Sequence, residues 1–121
     1  MLAQTVSIIE PNCKLNLPYD YIPDSYNIVR APSIEYAVRK LTENNPSIVF
    51  MSASFSVAKS IRLLEALKIF SCNSLIPIII VVDLSNRINF VPGTTWGGKI
   101  AVIDSHISQK ELYSTMGRVF K

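Results

Sequence analysis

Apolar residues in this chain gather into short β-branched runs separated by stretches of roughly helical period. Thr5-Val6-Ser7-Ile8-Ile9-Glu10 is the first such run and stops at Pro11, which has no N–H to give a ladder. Tyr26-Asn27-Ile28-Val29-Arg30 is a weaker second run, closed by Ala31-Pro32. Ser33 then stands as an N-cap before Ile34, Ala37, Val38 and Leu41, a helical stripe that Asn44-Asn45-Pro46 ends. Ser47-Ile48-Val49-Phe50-Met51 and Ile76-Pro77-Ile78-Ile79-Ile80-Val81-Val82 are continuous apolar runs. Such runs suit parallel strands covered on both faces. Between them a helix beginning near Ser56 is predicted to bury Val57, Ile61, Leu64 and Leu67 or Lys68, with Lys59, Arg62 and Glu65 turned away. Lys99-Ile100-Ala101-Val102-Ile103 is the fifth strand. The capping box Ser108-Gln109-Lys110-Glu111 opens a last helix whose stripe is Leu112, Met116 and Val119 with Phe120.

Strands alternating with helices imply parallel βαβ units with right-handed crossovers, and so an α/β three-layer sandwich. Two connections depart from that pattern. Residues 13–25 carry Pro18 and Pro23, so the first crossover is predicted short or irregular. Residues 84–98 carry Pro92, Gly93, Gly97 and Gly98, and the fourth crossover is predicted to be a loop with at most one turn. Neither a repeat nor a linker is visible, and residues 1–121 are read as one domain.

Composition narrows the class. Hydrophobic residues make up 49% of the 121, enough for a core, while charged residues make up only 17%. A surface that poor in charge points to an apolar patch covered by a partner or a second copy. The net charge of +3 is scattered, so direct nucleic-acid contact is not expected. The strongest apolar run, Leu75 to Val82, is too short to span a bilayer and contains Pro77. With no secretory signal in the opening residues, a cytoplasmic setting is expected. Cys13 and Cys72 have no zinc-ligand spacing and fall at opposite ends of the sheet, so both are expected as free thiols. All four glycines lie after residue 92, which leaves no Gly-rich phosphate loop, and no nucleophile elbow occurs.

The order and content of these segments resemble the CheY-like receiver domain of two-component response regulators. The resemblance rests on Val6-Ser7-Ile8-Ile9-Glu10-Pro11-Asn12, on Asn45-Pro46-Ser47-Ile48-Val49-Phe50-Met51-Ser52 and on Ile76-Pro77-Ile78-Ile79. It implies a flavodoxin-like fold with a five-stranded parallel sheet of order 2-1-3-4-5. It also implies a phosphorylation site built from an acidic pair that holds Mg²⁺, an acceptor Asp, a Ser or Thr hydroxyl and a Lys. The corresponding positions here are Glu10 and Pro11 for the pair, Ser52 for the acceptor, Val82 for the hydroxyl and Ser105 for the lysine. A serine hydroxyl cannot form an acyl phosphate, Pro11 has no side-chain oxygen, and neither Val82 nor Ser105 can replace what is lost. No register shift repairs the site, because no Asp or Glu lies between Glu43 and Glu65 and no Lys between Lys99 and Lys110. The chain therefore resembles a pseudo-receiver.

Further polar residues are expected at the carboxyl ends of the strands: Ser54, Asp83, Asp104 and His106 beside Glu10, Ser52 and Ser105. Residues of this kind more often cap loops than bind metal, and neither metal nor cofactor is expected. Phe90 and Trp96 either fold back over the sheet or, with Lys110 and Tyr113, form an interaction face. Receivers pair through this side of the fold, so the resemblance implies a homodimer. The expected function is a non-enzymatic signalling module of a bacterial regulator of transcription, independent of phosphorylation. It would act by contact with a protein partner or its own output domain. The alternative is a small-ligand binding protein or enzyme using the carboxyl edge of the sheet.

Overall fold

The computed structural model describes residues 4–10, 19–44, 46–53, 55, 57–71, 76–82 and 100–119. Strands β1 (Thr5–Ile9), β2 (Asn27–Ala31), β3 (Ile48–Ser52), β4 (Ile78–Val82) and β5 (Ile100–Asp104) form one sheet of order β2-β1-β3-β4-β5, parallel throughout. Helices α1 (Ile34–Asn44), α2 (Val57–Ser71) and α3 (Gln109–Val119) pack on it. This is the flavodoxin-like order, and the strands fall within a residue or two of the runs that sequence marks.

Period-two alternation sorts each buried strand between two cores. Val6, Ile8, Ile48, Phe50, Ile79, Val81 and Ile103 point to one face, where Leu112, Met116 and Val119 of α3 meet Tyr19 and Ile22. Ile9, Val49, Met51, Ile78 and Ile80 point to the other, under Ile34 and Ala37 of α1 and Leu63, Leu64 and Leu67 of α2. Phe50, Ile48, Val49, Ile78 and Ile79 are wholly buried, as residues with helices above and below them must be.

The helix starts are set locally. Ser33 Oγ accepts the Tyr36 N–H at 3.1 Å, and Ser108 Oγ accepts the Glu111 N–H at 3.2 Å. Each satisfies an amide that the first turn leaves without a helical partner. Pro77 precedes β4, where its missing N–H costs nothing and its carbonyl still accepts from Val49 N at 3.0 Å.

The α2 stripe is rotated from the one its spacing predicts. Ser60 (3% exposed), Leu63, Leu64 and Leu67 face the sheet, while Ile61 is 40% exposed. A helix with apolar residues on several sides does not fix its own rotation. Of the first crossover, predicted short or irregular, the described residues from Tyr19 on hold a 3-10 turn at Tyr19–Tyr21, and its earlier residues lie outside the described ones. Tyr19 is buried against Phe50, ring centroids 6.0 Å apart, with the Arg30 guanidinium 5.7 Å from the Tyr19 ring. The fourth-crossover expectation, both cysteines, Phe90 and Trp96 lie outside the described residues.

Candidate functional site

Parallel strands all end at the same edge, so one residue from each is carried to a common rim. Ile9 of β1 pairs with Met51 of β3, which sets Glu10 and Ser52 one step further along on neighbouring strands. The next two ladders hold β4 and β5 in step with them. Ala53 N donates to Val81 O at 2.9 Å, and Ser105 N donates to Val82 O at 2.9 Å. Ser52, Val82 and Ser105 therefore follow one another across β3, β4 and β5, with Glu10 beyond them on β1. The structure brings these four sequence-marked positions together. Pro11, Ser54 and Asp83 lie outside the described residues.

Their surroundings differ from an open solvated rim. Glu10 is 5% exposed and Ser105 only 4% exposed, while Ser52 and Val82 are half-buried. Val82 packs with Ala53 against the α1–α2 core. A valine there gives a developing phosphate no hydroxyl, and a small neutral Ser105 gives it no cation. Of the four, only Glu10 carries an ionisable oxygen; Ser52 brings an alcohol. Among the described residues no group of three His, Cys, Asp or Glu is placed to hold a metal ion. Asp104 Oδ1 accepts the His106 N–H at 2.8 Å, so this carboxylate caps the turn after β5. His106 is an exposed turn residue.

Of the two predicted interaction residues on α3, one is tied back into the fold. Lys110 and Tyr113 are both exposed, but Tyr113 turns toward the first crossover. Its hydroxyl donates to Tyr21 O at 2.6 Å and accepts from Gln109 Nε2 at 2.9 Å. On the opposite flank Glu111, Ser114 and Arg118 face β5. There they and Val102, Asp104 and Ser108 line a groove of about 760 Å³. A second hollow of about 380 Å³ is lined by Ile100, Ala101, Val102 and Arg118, sharing the last two with the first. Sequence reasoning left this groove out. Its one signal was the polar series Glu111, Ser114 and Arg118, which recurs at helical spacing away from the Leu112, Met116 and Val119 stripe.

No protein-family model matches the chain, and no curated protein matches it either. Solved structures do. The chemotaxis protein CheY4 of Vibrio cholerae superposes with a TM-score of 0.73 at 14% identity, over 97% of this chain and 98% of its own. A response regulator receiver protein from Sinorhizobium medicae gives 0.73 at 12% identity over 97% and 94%. The N-terminal domain of a response regulator/sensory box/GGDEF three-domain protein from Carboxydothermus hydrogenoformans gives 0.71 at 14% identity over 96% and 93%. The chain thus has the fold that receiver domains of response regulators share, from one end of the sheet to the other.

Proposed function

We propose that this chain is a receiver-like signalling module that works by protein contact and without aspartyl phosphorylation. The observation that carries the reading is the content of the rim: Ser52, Val82 and Ser105 occupy the ends of β3, β4 and β5 in a receiver-like fold. An acyl phosphate needs a carboxylate nucleophile, and Ser52 has none. Binding the transferred group needs a hydroxyl and a cation beside it, and Val82 and Ser105 bring neither. Glu10 alone is half of a Mg²⁺ pair, and hard-cation sites draw on several oxygen ligands.

What remains is a rigid sheet presenting β5 and α3 at one side. In this reading the module is cytoplasmic and non-enzymatic, binds a protein partner or an attached output domain of a bacterial transcription regulator, and pairs with itself. Lys110 and the β5 side of α3 supply the contact surface. The ligand-binding alternative calls for a cavity between β1 and β3; among the described residues the groove of about 760 Å³ lies against β5. Among the described residues no helix is long and apolar enough to cross a membrane.

The test is an amide NMR comparison of the protein with Mg²⁺ alone and with Mg²⁺ plus a small phosphodonor. The proposal expects the amides of Ser52, Ala53, Val82 and Ser105 to stay in place on adding the donor. Concerted shifts at those amides that reverse on donor removal would overturn it.

A further inference from the structure

Helix α2 buries Ser60, Leu63, Leu64 and Leu67 against the sheet. The line directly opposite runs through Ala58, Arg62, Glu65 and Ile69, and every one of these is exposed. Each residue turns a helix by about 100°, so the steps from Ala58 bring Ile69 back to within about 20° of it, about 16 Å further along. Arg62 and Glu65 fall to either side of that direction. Among the described residues Ile69, 80% exposed, is the most open large apolar side chain, and Ile61 flanks the same line.

An apolar stripe rimmed by charge is the kind of surface that proteins cover on contact, and this chain, at 17% charged residues, has little charge with which to solvate one. The line supplies its own cover. Read forward it is small, basic, acidic, large; read backward it is large, acidic, basic, small. Laid antiparallel on a second copy of itself, each residue meets its complement in size or charge. The spacing of its residues is that by which helices pack side by side at a shallow angle. Arg62 Nη1 stands 3.6 Å from Glu35 Oε1 of α1, and the guanidinium fork keeps further donors for another carboxylate.

We propose that α2 pairs antiparallel with α2 of a second copy, about a two-fold axis midway between Arg62 and Glu65. Such a contact is isologous. Ala58 then receives Ile69 of the partner subunit, Arg62 meets Glu65 of the partner subunit, and the symmetry repeats both. Because α2 and α3 lie on opposite faces of the sheet, this pairing leaves the β5 side of α3 open. The dimer would present that surface twice to the partner of the contact-module reading. The inference rests on that reading only for its meaning: a monomeric chain inert to phosphodonor would sink the pairing and spare the rim.

Sedimentation of the 13.5 kDa chain across a dilution series reaching about 1 mM tests it. The wild type should approach twice that mass at the concentrated end. Ile69→Lys and Glu65→Arg should each weaken association by about tenfold or more, since the axis makes every substitution count twice. Adding Arg62→Glu to Glu65→Arg exchanges the charges and should restore the dimer, which a merely misfolded variant would not do. Circular dichroism of each variant shows whether it is folded. Val102→Lys, on the β5 edge where Val102 is 44% exposed, should leave the dimer unchanged. A wild type that stays monomeric throughout overturns the proposal. So does a dimer indifferent to both Ile69→Lys and Glu65→Arg; its loss to Val102→Lys would then put the contact on the β5 side.

Discussion

Replacing Tyr113 by Phe removes one oxygen and leaves the ring. In the folded protein that oxygen donates to Tyr21 O at 2.6 Å, joining α3 to the first crossover across 92 positions of sequence. It also accepts from Gln109 Nε2. Gln109 is exposed and finds water in exchange, so the loss centres on the bond to Tyr21. One net intramolecular hydrogen bond contributes about 0.5–1.5 kcal/mol, and partial exposure of Tyr113 places this one in the lower half, about 0.5–1 kcal/mol. For a domain of this size that lowers Tm by about 2–6 °C. Urea unfolding with an unchanged m-value gives the free energy, since the surface exposed on unfolding is nearly the same. Amide exchange adds the location: Ile22, whose N–H bonds to Tyr19 O at 3.1 Å, should exchange faster in the variant. A variant as stable as the wild type, with Ile22 equally protected, would refute the clasp. It would return Tyr113 to the partner-facing role that its exposure alone suggests.

Three further outcomes follow from the packing. Leu67→Ala, at a wholly buried position under the sheet, should cost about 2–5 kcal/mol in chemical denaturation. Ile61→Ala, which the spacing rule treats as its equal, should cost clearly less because Ile61 is 40% exposed; equal costs would restore the stripe read from sequence. Ser108→Ala should lose about 0.5–2 kcal/mol with the N-cap of α3, read by the same denaturation series.

Much of the fold was legible because its determinants are local. Pro77 marks the start of β4, Ser33 and Ser108 mark helix starts, and the runs Ile48–Ser52 and Ile78–Val82 announce strands buried on both faces. The placing of the rim residues was legible too, since strand ends in a parallel sheet share an edge, Val82 closes a strand signal, and Ser52 and Ser105 come just after one. The rotation of α2 was not, because Ile61 and Leu64 look alike in a list of apolar positions. Only packing chooses Ser60 and Leu63 for the inner face. The Tyr113–Tyr21 bond was hidden by its sequence separation. The openness of Val102 was hidden for another reason: Val102 sits in a run as apolar as those of β3 and β4, and nothing in the run itself says that β5 ends the sheet.

The central claim concerns the chemistry of Ser52 and its neighbours, and the mass of the intact protein tests it most directly. After incubation with Mg²⁺ and a small phosphodonor, the account predicts an unmodified chain. An adduct of one phosphoryl group, lost on treatment that hydrolyses acyl phosphates, would contradict it.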